Sequence, residues 1–307
     1  MKIIDTATTR AALGFDRLVP ALAQMFAGGC ESPPRHVHSL PTLTVLIMPA
    51  WQTGRYLGIK TVTIAPGNSV LGLPGLHSTY LLYDATTGVP LAQMDGNEIT
   101  SRRTAATSAL AASHLARPDA RRLLVVGAGR VASLLAEAYR SVLPIEQVMV
   151  WSRKPEAAAA LAAQWRERGI DAQATSDLAQ AVRQSDIVSC ATLATEPLIR
   201  GEWLQAGSHL DLIGSFTPAM READDACFRS AQIYVDTEEA CHKSGELLGP
   251  ISRGVFSQAE LRGTLAQLCR GDEGARASAS ERTVFKSVGT ALEDLAAAVL
   301  VYESHAA

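Results

Sequence analysis

At 307 residues, with 47% hydrophobic and 19% charged residues, the chain is long enough for two domains and has the composition of a globular protein with a substantial core. A formal net charge of −3, from 28 basic and 31 acidic residues scattered along the chain, gives no broad attraction to nucleic acid or to an anionic membrane, so neither is expected as a partner. No run approaches the roughly 18 apolar residues that cross a bilayer, Met1-Lys-Ile-Ile-Asp-Thr6 has no signal-like apolar stretch, and five cysteines without a C-x-x-C pair fit reduced thiols; a cytoplasmic location is the expectation.

Along the chain, Asp16 to about Ala27 predicts an amphipathic helix, and Arg35 to Ser39, Leu43 to Pro49 and Tyr56 to Ala65 predict strands rich in β-branched and aromatic residues. Ser78 to Tyr83 and Pro90 to Met94 flank Asp84-Ala-Thr-Thr-Gly88, a loop of the length that closes an antiparallel hairpin. Asn97 or Thr100 is the expected cap of a helix to about Leu115, with Thr104, Ala105, Ala106, Ala109 and Ala112 small enough for close packing. Ala116-Arg-Pro-Asp-Ala120 reads as a boundary. Beyond it come strands at Arg122 to Val126, Gln147 to Trp151, Ile170 to Ala174, Asp186 to Ala191, His209 to Ile213 and Gln232 to Val235. Helices from Arg130, over Pro155 to Arg168 and near Leu178 separate the earlier ones. Alternation at this spacing predicts an α/β fold: a Rossmann doubly wound parallel sheet of six strands, inserted in an α+β domain. Gly271 to Ser278 reads as loop. A last helix, from about Phe285 to Ser304 and apolar on Leu292, Leu295, Ala296 and Val299, is expected to return to the first domain. The domains are thus 1–116 with 285–307, and 117–284.

Leu123-Leu-Val-Val-Gly127-Ala128-Gly129-Arg130-Val131-Ala132 is a buried strand, a tight glycine turn and a helix start, the arrangement that brings main-chain amides and a positive helix end to a pyrophosphate. Gly127, Ala128, Gly129, Arg130 and Val131 are the expected cradle of a dinucleotide. About 20 residues on, where an acid would bind the ribose 2′-hydroxyl of NAD, the chain reads Ser152-Arg153-Lys154. With no carboxylate and two cations able to pair with a 2′-phosphate, NADPH is the preferred cofactor and NADH a possible one. The end of the fourth strand of the series, Ser189-Cys190-Ala191-Thr192, is expected over the nicotinamide half; Cys190 reads as a small packing residue with no base beside it. His36 and His38 share a strand face, but with no third ligand in view no metal is expected.

Three further segments resemble the ornithine cyclodeaminase/mu-crystallin family: Leu57-Gly-Ile-Lys60; Asp84 to Asp95 with Thr100-Ser-Arg-Arg103-Thr104-Ala105-Ala106; and Lys286-Ser-Val288-Gly289-Thr-Ala-Leu-Glu293-Asp294. The likeness spans nearly the whole chain. It implies a substrate and dimerisation domain built from both chain ends around an inserted Rossmann domain, and a homodimer with the active site between the domains. It also implies that Arg35, Lys60 and Arg103 hold a substrate carboxylate, a role suited to planar guanidinium forks and a lysine point charge. Thr104, Ile213, Gly214, Ser215, Val288 and Gly289 are expected beside the cofactor on the same likeness.

After the fifth strand of the series, the cyclodeaminases of this family carry Gly-Gly-Asp-Cys-Pro-Gly-Lys, whose Asp serves deamination and ring closure. Here the chain reads Ile213-Gly214-Ser215-Phe216-Thr217-Pro218, with Phe216 in place of that Asp. Phenylalanine takes no proton, so cyclodeamination is disfavoured. This wording, with Gly72-Leu-Pro-Gly-Leu-His77-Ser78-Thr79, is similar to the imine-reducing branch, whose members reduce cyclic ketimine carboxylates such as Δ1-pyrroline-2-carboxylate and Δ1-piperideine-2-carboxylate. The expected partner is therefore a small cyclic imino acid, with Lys60 and His77 as candidate proton donors and Thr79 beside them. Two other readings stay open: an amino-acid dehydrogenase acting on open-chain 2-oxo acids, and a non-catalytic NADP(H)-binding protein like mu-crystallin.

Overall fold

In the computed structural model, which describes residues 1–272, 274 and 276–305, the chain divides into two units: Met1–Arg103 with Thr290–Ala307, and Thr104–Gly289. The division falls inside a helix, and the boundaries expected after 116 and before 285 both lie within the second unit.

The first unit opens with β1 (Lys2–Ile3) and α1 (Thr6–Ala12), elements too short to announce themselves by periodicity; the Asp5 carboxylate starts α1 by accepting the Thr8 N–H at 2.8 Å. α2 (Phe15–Gly28) buries Leu18, Leu22, Met25 and Phe26 along one face, as its spacing predicts. β2 (His36–Ser39), β3 (Thr44–Trp51), β4 (Tyr56–Ile64), β5 (Leu76–Asp84) and β6 (Pro90–Asp95) form an antiparallel meander, with β1 added in parallel beside β6. The β5–β6 loop closes on Asp84, whose Oδ1 accepts the Thr86 and Thr87 N–H groups, and on Gly88 at φ +73°. α3 (Gly96–Leu115) starts on Asp95, which accepts the Asn97 and Glu98 N–H groups at 2.8 and 3.0 Å. Asp95 is thus the cap, and Asn97 and Thr100 lie within the helix.

The second unit carries β7 (Arg122–Val126), α4 (Ala132–Arg140), β8 (Gln147–Trp151), α5 (Pro155–Glu167), β9 (Asp171–Ala174), α6 (Leu178–Gln184), β10 (Ile187–Cys190), β11 (His209–Leu212), β12 (Ala231–Val235), α7 (Ala240–Lys243), α8 (Gly245–Ser252), β13 (Gly263–Thr264), α9 (Leu265–Arg270) and β14 (Arg282–Lys286). The sheet is parallel throughout, in the order β13-β12-β14-β11-β10-β7-β8-β9. Its inner strands β7, β10 and β11 are buried on both faces, as helices on either side require. Among the described residues it has eight strands where six were expected. The additions are the two-residue β13 and β14, which inserts between β11 and β12. Phe285 therefore belongs to a strand, and the last helix begins later.

That helix, α10 (Ala291–Glu303), is capped by Thr290, whose hydroxyl accepts the Leu292 N–H. It returns to the first unit and packs against α2, β3 and β4. No helix among the described residues is long and apolar enough to cross a membrane.

Candidate active site

In the first unit the packing of α10 against β4 brings charge together. Strand alternation turns Gly58, Lys60 and Val62 to the buried face and leaves Ile59, Thr61 and Thr63 half-exposed on the other. The buried Lys60 ammonium lies 2.6 Å from Asp294 Oδ2, in the first turn of α10. Arg103, on α3, donates from Nε to Asp294 Oδ1 at 2.9 Å and from Nη1 to Glu293 Oε2 at 2.6 Å. One carboxylate therefore bridges both cations, and Arg103 keeps its Nη2 group without a hydrogen-bond partner among the described residues.

Burial pulls Lys60 down to about 8 against the attraction of Asp294, and nearby Arg103 and Arg35 add to the depression. Burial acts on Arg103 in the same sense, but Glu293 and Asp294 outweigh it and hold the guanidinium firmly charged. Asp294 is kept below its usual range because Lys60 and Arg103 overcome the effect of burial. Arg35, half-buried just before β2, thus belongs to the same electrostatic neighbourhood. Tyr80 pairs with Lys60 across β4 and β5, and its buried hydroxyl has no hydrogen-bond partner among the described residues. It fits only because residue 58 is glycine: a Cβ there would come within 1.8 Å of the hydroxyl oxygen.

His77 and Thr79 are placed differently. The register pairs His77 with Thr63 and Thr79 with Thr61, so both project from the face opposite to Lys60 and both are exposed. The structure brings Lys60, Arg103 and Arg35 together and leaves His77 and Thr79 apart from them.

In the second unit the candidate residues gather along the carboxyl edge of the sheet. Val126 pairs with both Trp151 and Cys190, and Cys190 pairs with Leu212, so the segments that follow these strands emerge side by side. The strand order reverses at β7 and β10, the switch point at which doubly wound sheets bind ligands. Gly127, at φ +120°, has its α-carbon so close to the β10 exit that a Cβ would meet Ala191 O at 2.5 Å; only glycine makes this turn. At Gly129 a Cβ would meet nothing within 4 Å, so the space over the turn is open. No side chain caps α4 at Val131, and the Ser133 and Leu134 N–H groups turn back to Gly129 O and Val131 O, each at 3.0 Å. Ala128, Gly129, Arg130 and Val131, all at least partly exposed, line the turn at the positive end of α4; these residues fit a pyrophosphate.

Past β8, the Ser152 hydroxyl accepts the Lys154 N–H, while Arg153 and Lys154 are exposed before α5, which has no side-chain cap. Thr104 is half-buried in α3, and Ala191 and Thr192 are half-buried past β10. The Cys190 side chain lies in the core, where burial raises its thiol pKa well above the ordinary value, so only its main chain reaches the edge. Ile213 and Ser215 are buried. The Val288 and Gly289 amides donate to Asp236 Oδ2 at 2.8 and 2.7 Å. Phe216, next after Ser215, is 44% exposed.

Sequence reasoning missed the acids that organise these groups. Glu293 and Asp294 stand adjacent in an otherwise apolar helix, and that interruption was the available signal. Glu222, Glu246 and Asp236 had none, because their partners are main-chain N–H groups of distant segments. Burial and Glu222 push Glu246 up to about 7 against the pull of Lys286. Burial likewise raises Glu222 and lowers Lys286.

A family model described as the ornithine cyclodeaminase/mu-crystallin family matches residues 6–307. The chain belongs to this family. It is 45% identical over 257 residues to the Δ1-pyrroline-2-carboxylate reductase of Paracoccus denitrificans, an alignment covering 83% of this chain and 81% of that protein. Among solved structures it is similar to Thermococcus litoralis Δ1-pyrroline-2-carboxylate reductase in complex with NADH and L-proline, with 30% identity, a TM-score of 0.94, and coverage of 99% of this chain and 97% of that one. An archaeal alanine dehydrogenase dimer with bound NAD is similar at 31% identity and a TM-score of 0.93, covering 99% and 95%. All the candidate residues lie within the stretch matched to the ornithine cyclodeaminase/mu-crystallin family, and the fold agrees with those neighbours throughout.

Proposed function

We propose that this protein is an NAD(P)H-dependent reductase of a cyclic ketimine carboxylate, Δ1-pyrroline-2-carboxylate, giving L-proline, with Δ1-piperideine-2-carboxylate as a second substrate. One observation carries this reading: Arg103, held by Glu293 and Asp294 beside the buried Lys60, keeps its Nη2 group without a hydrogen-bond partner among the described residues, in a neighbourhood where Arg35 also acts on Lys60. A substrate carboxylate can accept from that Arg103 Nη2 group. The 45% and 30% identical relatives bearing the reductase name support the same substrate class.

A reduced nicotinamide dinucleotide, when bound, supplies the hydride to the imine carbon. The chain would hold its pyrophosphate on Gly127 to Val131 and its nicotinamide half by Thr104, the main chain of Cys190, Ala191 and Thr192, the Ile213-Gly214-Ser215 turn and Val288-Gly289. Ser152, Arg153 and Lys154 would meet the adenosine ribose, and two cations without an acid favour NADPH over NADH. The protein's own contribution is orientation: ion pairing fixes the carboxylate end of the imine. Lys60, depressed to about 8 by burial, can exchange a proton near neutral pH and is the proton donor we assign. His77, on the other face of the sheet, is not used. Phe216 offers no carboxylate for deamination. The expected assembly is a homodimer in the cytoplasm.

The test is oxidation of NADPH and of NADH with Δ1-pyrroline-2-carboxylate, run beside pyruvate with ammonia. Turnover in the usual range of about 1 to 1000 per second with the imine, and far slower turnover with pyruvate, is expected. The reverse preference would establish an amino-acid dehydrogenase, and tight cofactor binding without turnover would establish a binding protein.

A further inference from the structure

We infer that Glu222 is a positioning residue for the dinucleotide, a buried carboxylate clamp that sets the two loops leaving β10 and β11 in their cofactor-binding conformation. This rests on the dinucleotide reading above. Glu222 is fully buried. Its Oε1 accepts both the main-chain N–H and the hydroxyl of Thr192, each at 2.7 Å, and its Oε2 accepts the Gly214 N–H at 2.7 Å. Thr192 follows β10 and Gly214 follows β11, so one side chain ties together two neighbouring strand exits. The approach requires glycine at 214, where a Cβ would lie 2.5 Å from Glu222 Oε1 and 2.0 Å from Thr192 O.

Glu222 is itself held. Its own N–H and that of Ala223 donate to the Glu246 carboxylate at 2.7 and 2.9 Å, and its carbonyl accepts the Leu198 and Ile199 N–H groups. Lys286 lies close enough to attract both acids and donates to Leu212 O at 2.9 Å. Five donors meet two acceptor-only carboxylates, and a single lysine partly offsets their charge. Burying a second acid beside one cation is costly, and the fold does not demand it: β10 and β11 already pair through their main chains from Ile187–His209 to Cys190–Leu212. The Glu222 bonds begin where that ladder ends. They fix the loops, and the loops carry the residues assigned to the nicotinamide.

Glu222→Gln preserves shape but sets an amide N–H₂ against one of the donors. The experiment measures the NADH and NADPH dissociation constants by nicotinamide fluorescence, the imine KM at saturating cofactor, and the unfolding temperature. Asp211→Asn, a core change within β11, serves as the control for general destabilisation. We expect both dissociation constants to rise about tenfold in Glu222→Gln, equivalent to about 1.4 kcal/mol, with imine KM unchanged and no such rise in Asp211→Asn. Should Glu222→Gln fail to fold, Thr192→Val removes only the hydroxyl bond, and a several-fold rise is expected. A folded Glu222→Gln, or in its absence Thr192→Val, that binds both dinucleotides as the wild type does would overturn the inference, and so would an equal rise in Asp211→Asn. Wild-type protein that binds dinucleotide without reducing the imine would sink the substrate assignment and leave this inference standing; wild-type protein that binds neither dinucleotide would sink both.

Discussion

The chain buries two clusters of charge, and they are built on opposite plans. In the first unit, Lys60 and Arg103 meet Glu293 and Asp294 through side chains alone, with Arg35 adding positive charge nearby. In the second, Glu222 and Glu246 share one lysine and use their oxygens on four main-chain N–H groups and the Thr192 hydroxyl. The first has a donor in reserve at Arg103 Nη2, which suits it to receive an anion. In the second the acids have taken up the donors around them, which suits it to hold a backbone still. Burial of charge alone therefore does not mark a ligand site; the balance of donors and acceptors does.

Removing one cation breaks the comparison most severely. Truncating one partner of a buried, hydrogen-bonded charge pair costs about 2–5 kcal/mol, so Lys60→Ala should lower kcat/KM for the imine by at least about thirtyfold. It should leave the dinucleotide dissociation constant unchanged, because the second cluster is intact. Steady-state kinetics with a parallel fluorescence titration check both halves; loss of dinucleotide affinity in Lys60→Ala would contradict the division of labour.

Asp294→Asn is a gentler change at the same place. The amide keeps the size of the bridge but loses its charge, so Lys60 and Arg103 repel with less between them. Imine KM should rise about tenfold, corresponding to about 1.4 kcal/mol, with kcat less affected. The alkaline limb of the pH–rate profile should move to lower pH, since Asp294 is the partner that favours charged Lys60. An unchanged profile would mean that Asp294 does not govern the lysine.

How much of this was readable in the chain depends on distance along it. The glycine turn was legible because a φ of +120° and an approach to Ala191 leave their mark as Gly127 itself. The meander and the alternating series were legible because hydrophobic periodicity is local. β14 was missed because Arg282–Lys286 runs close before an apolar helix, and its place between β11 and β12 is a long-range fact. Whether His77 shares a face with Lys60 is decided by which β5 residue stands opposite residue 60, and a shift of one residue reverses the answer. The acids that hold the arginine and the loops were invisible for a like reason: Arg103 and Asp294 meet across nearly two hundred intervening residues (|i−j| = 191).

Stability against pH sets the buried acids against the buried lysines with a smaller effect. Burial raises Glu246 from 4.5 to about 7 and Asp211 from 3.8 to about 6, so between those limits the folded second unit retains protons that the unfolded chain has released. Stability should fall as pH rises from about 4 to 7, less steeply than these two acids alone would give because buried His209, lowered from 6.5 to about 3, acts in the opposite sense; a tenfold difference in proton affinity between the folded and unfolded chain is worth about 1.4 kcal/mol. Lys60, depressed from 10.5 to about 8, works in the opposite direction: between those values the unfolded chain holds the extra proton, and stability should rise with pH; buried Lys286, also lowered, acts in the same sense. Thermal unfolding across pH should therefore fall and then recover, and Asp211→Asn should flatten only the acid-side decline. A decline that survives unchanged in Asp211→Asn would assign it to other groups.

The smallest expected effect tests the exposed charges against both buried clusters. Arg153 and Lys154 stand in solvent past β8, where an ion pair is worth about 0.2–1 kcal/mol. Arg153→Ala should weaken NADPH binding by up to about fivefold and leave NADH unchanged, because only NADPH carries the 2′-phosphate. Solvent screening acts over about 8 Å at physiological ionic strength, so the wild-type preference for NADPH should shrink as salt is added. In Arg153→Ala the same salt series should move the preference little. The imine KM, governed by buried Lys60 and Arg103, should hold steady through the series at saturating cofactor. If NADPH and NADH bind alike at low salt, the Ser152-Arg153-Lys154 segment is an ordinary solvated helix start, and the uncapped first turn of α5 remains open to water.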